Sequence, residues 1–247
     1  MLLKILTKNS PDAIEFSEKV KKLAEEMGFK ITEGNNHDLV VVIGGDGTLL
    51  KAVKLNSPVI GIKFGRRSAL LDINPENVKD VLTRLKNGDY IVDEYVMLNL
   101  RTKQTRAVAF NEVAILFDNP ETILGSISMG EKKIIFEGDG VLVSTPQGSW
   151  AWSYSATRTL LHKGVNGIEI TFMNCIVPDM HNIIIPMKEK VTIKLEDKGR
   201  PQIAKIIVDG EVVGYLRSGE DEEAIITENE RKAKILRFYK RIDLGYL

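Results

Sequence analysis

An aspartate lies among glycines directly after an apolar run of the chain. Residues 44–48 read Gly-Gly-Asp-Gly-Thr and follow the almost wholly apolar stretch Asp38–Ile43. Glycines let backbone N–H groups approach phosphate oxygens, and the start of a helix favours anions. A carboxylate there would repel phosphate unless a magnesium ion or a proton transfer justifies it. Asp46 is therefore a candidate general base for phosphoryl transfer to a hydroxyl group; the alternative is that it only caps the following helix.

Two better-known phosphate loops do not fit this segment. A Walker A loop would end in Gly-Lys-Ser or Gly-Lys-Thr, and the dinucleotide fingerprint requires a third glycine where Leu50 stands. Lys51 either contacts phosphate or is a solvated helix lysine.

Asn111 and Glu112 form a second candidate site. They lie inside the strand-like stretch Ala107–Leu116, so they should point to opposite faces of one strand. Burying a glutamate without a partner costs free energy. The pair therefore indicates either a binding site or exposure at a strand end.

The third candidate is a turn followed by a helix. Residues 146–148 (Pro-Gln-Gly) predict a turn, and Ser149 would be the N-cap of a helix over about Trp150–Leu161. Free N–H groups at that helix start could bind an anion or a ribose hydroxyl. The rings of Trp150, Trp152 and Tyr154 lie close to this helix start, where one could stack against a flat base; the alternative is that both tryptophans pack in the core, which is favoured for Trp150.

The elements that must position these residues change in kind near residue 90. Before it, apolar strands alternate with helices that carry one apolar stripe; after it, short β-branched runs are separated by turns. This pattern predicts a parallel α/β domain followed by a largely antiparallel β domain. The predicted helices span about Pro11–Met27, Pro75–Asn87 and Trp150–Leu161, and the predicted strands are Leu2–Thr7, Phe29–Thr32, Asp38–Ile43, Pro58–Ile62, Ala107–Leu116, Ile123–Met129, Lys133–Phe136, Val141–Ser144, Ile168–Met173, Val191–Leu195, Ile203–Val208, Glu211–Tyr215 and Ala224–Thr227.

The composition narrows the range of partners. Lys plus Arg and Asp plus Glu both number 34, and this zero net charge argues against a duplex nucleic-acid binder. No window of the sequence approaches the ~20 apolar residues of a membrane span. With Cys175 as the one cysteine, no intramolecular disulfide can form, so we expect a reducing, cytoplasmic location. Neither a nucleic-acid nor a membrane partner is therefore expected.

Three segments together resemble a known family. Residues 44–48 resemble the GGDGT motif of NAD kinases, diacylglycerol and sphingosine kinases and, in a variant, phosphofructokinases, in which the acid is implicated in catalysis. Asn111-Glu112 and Gly138–Ala156 (GDGVLVSTPQGSWAWSYSA) resemble NAD kinases in particular, in matching order and separation. Residues 209–211 (Asp-Gly-Glu) resemble a weaker further element. By this resemblance, which covers about residues 38–156, the chain is identified as a member of the NAD kinase family.

The resemblance implies an activity and a set of site residues. A phosphoryl group would pass from ATP or inorganic polyphosphate to the adenosine 2′-hydroxyl of NAD, with Asp46 as the base and a divalent cation, expected to be Mg²⁺. Asn111 and Glu112 would bind the adenosine and Asp139 would lie near the nicotinamide end, although between two glycines Asp139 is by itself a turn residue. No residue is assigned as a metal ligand. The implied binding residues are Gly44, Gly45, Gly47, Thr48, Lys51, Asn111, Glu112, Asp139, Ser149, Trp150, Ala151, Trp152, Ser155 and Glu211.

The resemblance also implies a fold and an assembly. We expect a Rossmann-like α/β domain over residues 1–95 and a β-sandwich-like, NAD-binding domain over residues 96–229. A final segment, about residues 230–247, should return to the first domain. The family is usually dimeric or tetrameric, so a homodimer or homotetramer with NAD sites near subunit interfaces is expected.

Several positions depart from the family pattern, while Asp46, Asn111, Glu112 and Asp139 remain. Ala69 stands where a phenylalanine normally walls the NAD pocket. The altered pocket suggests one alternative, an NAD(P)-binding regulator without catalysis. The shared GGDGT loop leaves another, a lipid kinase, which would need an apolar entry for an acyl chain; no such surface is legible in the sequence. The departures are Lys63 for asparagine, residues 67–70 (Arg-Ser-Ala-Leu) for LGFL, Trp150 for threonine, Trp152 for tyrosine and residues 157–159 (Thr-Arg-Thr) for Gly-Gly-Pro.

Overall fold

The computed structural model describes residues 1–65, 68, 70–219 and 222–239. The chain divides into two compact units: the first contains Met1–Glu94 and the described residues from Ala233 to Tyr239, and the second contains Tyr95–Lys232. Residues 240–247 of the predicted final segment lie outside the described ranges. Of the helices in these described ranges, none combines the length and the apolar character that crossing a bilayer requires.

The first unit is a six-stranded sheet with helices, ordered β2-β1-β3-β4-β18-β5. Neighbouring strands from β2 to β18 run parallel. All six residues of β3 are buried, as expected of a parallel strand covered on both faces. Its elements are β1 (Leu2–Thr7), α1 (Pro11–Glu26), β2 (Lys30–Ile31), β3 (Leu39–Gly44), α2 (Asp46–Ala52), β4 (Val59–Lys63), a 3-10 turn (Pro75–Asn77), α3 (Val78–Asn87), β5 (Ile91–Tyr95) and the last strand, β18 (Ala233–Arg237).

The second unit consists of two antiparallel six-stranded sheets, ordered β10-β9-β14-β17-β6-β7 and β13-β12-β11-β8-β15-β16. One buried apolar cluster takes side chains from both sheets, for example Ile127 and Ile193 from one and Val113 and Ile170 from the other. Its elements are β6 (Leu98–Arg101), β7 (Arg106–Ala109), β8 (Glu112–Phe117), β9 (Ile123–Met129), β10 (Lys132–Gly138), β11 (Gly140–Ser144), a 3-10 turn (Gly148–Trp150), α4 (Trp152–Thr157), β12 (Gly167–Met173), β13 (Asn182–Pro186), β14 (Val191–Leu195), β15 (Ile203–Val208), β16 (Glu211–Arg217) and β17 (Ala224–Glu228). The predicted fold class, an α/β domain and a β-sandwich-like domain, is confirmed.

Two predicted elements were wrong. The stretch Ala107–Leu116 is not one strand, because the chain leaves one sheet after β7 and enters the other at β8, with Phe110 and Asn111 between them. The helix predicted over Trp150–Leu161 ends at Thr157. Arg158 takes a left-handed conformation with φ of 58°, which stops the helix.

Four strands, β5, β6, β13 and β18, were not predicted as strands; β18 lies in the final segment that was expected to return to the first domain. β5 and β13 are edge strands, and most of their side chains are exposed or half-buried. β5 reads Ile-Val-Asp-Glu-Tyr and lacks the continuous apolar run or strict alternation from which strands are predicted. β13 contains the apolar run Ile183–Ile185, so its signal was present in the sequence.

Candidate active site

The glycine loop joins β3 to α2 at the carboxyl edge of the parallel sheet. Ligands of open α/β sheets bind beyond this edge. Gly45 precedes the helix in an extended conformation, and Asp46 is the first helical residue. Gly44 must be small, because a Cβ there would lie 2.5 Å from Thr48 Oγ1 and 3.2 Å from the Lys8 side chain. The loop therefore folds back on itself closely, as a phosphate cradle would require.

The Asp46 carboxylate is held by the segment that follows β4. Ser68 Oγ donates a hydrogen bond to Asp46 Oδ1 at 2.6 Å, and the Leu70 N–H donates to the same oxygen at 3.1 Å. Asp46 is half-buried. It thus takes part in more than capping, because its side chain contacts residues 22 and 24 positions further along the chain. Two of the departures from the family pattern, Arg67 and Ala69, lie outside the described ranges.

The other predicted residues of this loop differ in exposure. Gly47 and Lys51 are exposed, whereas Gly45 and Thr48 are half-buried. Lys51 lies in the last turn of α2, where a cation complements the partial negative charge of the helix end. All these residues accompany Asp46 on α2 or directly before it.

In the second unit, Asn111 and Glu112 lie at the point where the chain passes between the sheets; we call Phe110–Glu112 the corner. Asn111 is half-buried and precedes β8, whereas Glu112 begins β8 and is 4% exposed. Since Asn111 is not part of the strand, the prediction of two side chains on opposite faces of one strand was wrong. Glu112 on β8 pairs with the fully buried Ser144 on the neighbouring strand β11.

Asp209 organises this corner, although sequence reasoning gave it no separate role. Its carboxylate accepts hydrogen bonds from the backbone N–H groups of Phe110 at 3.0 Å, Asn111 at 2.7 Å and Glu112 at 3.3 Å. Asp209 lies in the β15–β16 turn with φ of 50°, a conformation that aspartate and asparagine tolerate better than most residues. The Asp-Gly pair at 209–210 was the available signal. Glu211, the residue predicted from that element, is exposed and begins β16.

Hydrogen bonds hold the turn before α4 against the same corner. Thr145 Oγ1 donates to the Phe110 carbonyl at 2.7 Å, and Gln147 Nε2 donates to the same carbonyl at 2.7 Å. A Cβ at Gly148 would overlap the carbonyl oxygen of Asn111, so only glycine fits there. The structure therefore brings together two segments that are more than thirty residues apart in the sequence.

Ser149 does not serve as the N-cap that the sequence predicted. It is fully buried, donates to the Pro146 carbonyl at 2.7 Å and accepts from the Leu161 N–H at 2.8 Å. Trp150 is half-buried, and its Nε1 donates to the Leu161 carbonyl at 2.7 Å. Both residues tie the turn to the chain beyond α4, in line with the packing role favoured for Trp150.

The remaining residues predicted around α4 are more accessible. Ala151 and Trp152 are half-buried, and Ser155 is exposed. Trp152 is the first residue of the six-residue helix α4. Trp152 is therefore partly accessible to solvent.

Asp139 lies apart from the corner. It joins β10 to β11, and its Oδ2 accepts a hydrogen bond from Asn174 Nδ2 at 2.7 Å. The next residue, Gly140, pairs with Leu116, while Ser144 at the far end of β11 pairs with Glu112. At about 3.3 Å per strand residue, roughly 13 Å of strand separates these two pairs. The structure therefore does not place Asp139 beside Asn111 and Glu112 in one copy of the chain.

Comparisons with known proteins identify the family. The ATP-NAD kinase N-terminal domain matches residues 3–90, and the ATP-NAD kinase C-terminal domain matches residues 110–238. An NAD kinase of Sulfurisphaera tokodaii is 63% identical over 247 residues, which cover 100% of this chain and 99% of that protein. An NAD kinase of Saccharolobus solfataricus is 45% identical over 240 residues, covering 97% and 95% of the two chains.

The chain belongs to the NAD kinase family.

Two solved structures share the fold at 19% sequence identity. Yeast NADH kinase, solved in complex with NADH, has a TM-score of 0.91 and covers 99% of this chain and 85% of its own. An NAD kinase from Archaeoglobus fulgidus, solved with ATP, has a TM-score of 0.79 and covers 100% and 97%. The two family matches and the relatives at 63% and 45% identity confirm the prediction of an NAD kinase family phosphotransferase.

The glycine loop offers a divalent cation only one carboxylate, that of Asp46. Within the described residues, no cluster of three or more His, Cys, Asp or Glu side chains could hold a metal ion. Mg²⁺ commonly keeps several waters and takes one or two carboxylates plus substrate phosphates. Such an ion, carried mainly by the phosphates of a donor, is compatible with the NAD kinase fold described here.

Cys175 is not suited to nucleophilic chemistry. Burial raises the pKa of its thiol to about 11. Its Sγ points at the Gly140 and Met173 carbonyls at 3.5 and 3.6 Å. The thiol therefore packs against the backbone of the second unit of this NAD kinase family member.

Proposed function

We propose that the protein is an NAD kinase that transfers the γ-phosphoryl group of ATP to the adenosine 2′-hydroxyl of NAD, giving NADP and ADP. The observation that carries this proposal is the Asp46 carboxylate, held by Ser68 and Leu70 at the carboxyl edge of a parallel sheet. Membership of the NAD kinase family supports the choice of substrate. The lipid kinase alternative is disfavoured, because the C-terminal family match spans residues 110–238.

In the proposed reaction, Asp46 accepts the proton of the 2′-hydroxyl as that oxygen attacks. A bond forms between O2′ and the γ-phosphorus, the bond from the γ-phosphorus to the bridging oxygen breaks, and ADP leaves. Such transition states are loose, so positioning and electrostatics supply most of the acceleration. The backbone at Gly44, Gly45 and Gly47 and the Thr48 hydroxyl hold the donor phosphates, while Lys51 supplies a cation. Mg²⁺, when bound, would neutralise charge on those phosphates.

The corner of the second unit is proposed to bind the nucleoside of NAD. Asn111 and Glu112 offer an amide and a carboxylate, which suit a base edge and sugar hydroxyls. Trp152 offers a ring for stacking, while Ser149 and Trp150 fix the turn that carries Trp152. Ser155 and Glu211, both exposed, complete the proposed contacts.

Asp139 is proposed to lie near the nicotinamide end of NAD. Roughly 13 Å of strand separates its end of β11 from that of Glu112, which keeps it away from the adenosine end at Asn111 and Glu112. A homodimer or homotetramer is the proposed assembly, as the family resemblance implies. ATP is the proposed donor because the family is described as ATP-NAD kinase; inorganic polyphosphate is the alternative.

The test is to measure NADP formed from NAD and Mg²⁺ with either ATP or polyphosphate. The wild-type protein should produce NADP. Asp46→Asn should lower kcat by about 10²–10⁴-fold, the usual cost of losing a general base, while NAD binding measured by calorimetry is retained. Near-normal turnover of Asp46→Asn would exclude Asp46 as the base. Tight dinucleotide binding by the wild type without NADP from any donor would instead identify an NAD(P)-binding regulator.

A further inference from the structure

We call the described residues Ser68 and Leu70–Asp72 the segment; it reaches Asp46 with a hydroxyl group whose donor direction can be assigned. The Leu71 N–H donates to Ser68 Oγ at 3.0 Å, so Ser68 uses a lone pair for that contact. Its single hydroxyl proton then goes to Asp46 Oδ1, 2.6 Å away. This distance is typical of a hydrogen bond from a hydroxyl to an ionised carboxylate.

The segment is anchored on the side away from Asp46. Leu71 is 3% exposed, and its Cγ lies where a Cβ on Gly61 would meet it at 2.8 Å, so Leu71 packs closely on β4. Arg237 of β18 donates from Nη1 to the Leu70 carbonyl at 2.7 Å. Since this Arg237 side chain is 3% exposed, the contact lies in the interior and holds the segment firmly.

Charge pairing fixes Arg237 in turn. Its Nη1 lies 3.1 Å from Asp72 Oδ1, an ion-pair contact without aligned hydrogen-bond geometry, and its Nε lies 3.3 Å from Asp93 Oδ2. A buried arginine that pairs with carboxylates and a carbonyl has few alternative positions. A series of packed contacts within the first unit therefore leads from β18, the last strand in the sequence, to Asp46.

Ser68 stands where the family pattern LGFL has its glycine. A glycine has no side chain with which to donate to Asp46. Ser68 thus adds a hydroxyl donor to the backbone contact from Leu70. Two donors on one carboxylate oxygen fix the plane of the carboxylate and so the position of its other oxygen.

We propose that Ser68 is a positioning residue for Asp46, an inference that rests on the proposed kinase function. Ser68 orients the carboxylate so that it meets the 2′-hydroxyl in line for proton transfer, while the segment anchored by Arg237 keeps Ser68 in place. Reaction rates are sensitive to such alignment: a misplacement of about 1 Å can cost on the order of 10²-fold.

The experiment compares Ser68→Ala, Ser68→Thr and the wild type in steady-state NADP formation with ATP and Mg²⁺. Ser68→Ala should lower kcat by about 10-fold, within the range expected of misalignment, with the KM for NAD nearly unchanged. Ser68→Thr retains a hydroxyl and should restore most of the rate. The matched control is Ser57→Ala, because Ser57 donates to the His37 carbonyl at 2.8 Å in the same unit, and it should leave kcat unchanged.

A double-mutant cycle separates positioning from a structural role. If Ser68 acts through Asp46, adding Ser68→Ala to Asp46→Asn should cause no further loss of the residual rate. An equal loss in both backgrounds, or a kcat of Ser68→Ala equal to that of the wild type, would overturn the proposal. Neither result touches the proposed function, which fails only if the wild type forms no NADP.

Discussion

The glycine loop of the first unit and the corner of the second unit are built in different ways. The loop takes its shape from adjacent residues: a buried strand, small glycines and a helix that starts at once. The corner at Phe110–Glu112 takes its shape from Asp209, Thr145 and Gln147, which are distant in sequence. A local motif such as the loop can therefore be recognised as a site from the sequence alone. A site assembled from separate segments, such as the corner, reveals only some of its residues in the sequence.

Glycine-to-alanine substitutions should show the largest difference in stability between the two regions. In the corner, Gly148→Ala would drive a Cβ into the Asn111 carbonyl oxygen, which cannot move without breaking its bonds to Thr145. We expect a loss of stability of about 3 kcal/mol or more, the upper range for overpacking, together with weaker NAD binding. Thermal unfolding and calorimetry measure both. A variant with the wild-type Tm would show that the corner is more adaptable than its contacts indicate.

Removing the Asp209 carboxylate should have the next largest effect. Asp209→Ala leaves backbone N–H groups of the corner without their acceptor and should cost about 1–3 kcal/mol of folding free energy. Asp209→Asn keeps one acceptor oxygen and tolerates the left-handed backbone, so it should be milder. Glu211→Ala, at the exposed neighbouring position, is the control for stability. Chemical denaturation of the three variants tests this order; equal effects of Asp209→Ala and Glu211→Ala would contradict it.

The corresponding substitution in the glycine loop, Gly47→Ala, should not destabilise the protein. Among the described residues, no atom lies within 4 Å of a Cβ built on the exposed Gly47, which belongs to α2. Gly47→Ala should leave the Tm unchanged or raise stability by about 0.5–1 kcal/mol through helix propensity. The added methyl should nevertheless raise the KM for ATP more than the KM for NAD, because it stands between backbone and phosphate. A fall in Tm, or equal changes in both KM values, would count against the cradle.

The smallest effect is expected at Cys175. With its thiol pKa raised to about 11 by burial, only about one molecule in a thousand carries the reactive thiolate at pH 8. Alkylation by iodoacetamide should therefore be slow at pH 8 and should quicken about tenfold per pH unit towards pH 11 in the folded protein. Mass spectrometry follows the modification. Fast alkylation at pH 8 without loss of structure would refute this picture of the second unit.

The parallel sheet and its glycine loop were predictable from sequence because their signals are local. The buried run of β3 and the apolar stripe of α1 each report their own environment within a short window. The predicted strands Leu2–Thr7, Ile123–Met129 and Val191–Leu195 have the observed bounds for the same reason. Edge strand β5 was missed because its residues, Ile-Val-Asp-Glu-Tyr, show neither a continuous apolar run nor strict alternation.

The amino-acid sequence by itself determined the family, the two kinds of fold and the aspartate proposed to act as base, since each is encoded in neighbouring residues. Only the tertiary structure decided what holds those residues. Ser68 and Leu70 bond to Asp46 across more than twenty residues, and Asp209 bonds to Asn111 across 98. A hydrogen bond depends on the position of two groups in space, and strand pairing in a sheet brings together groups whose separation in the chain gives no local signal.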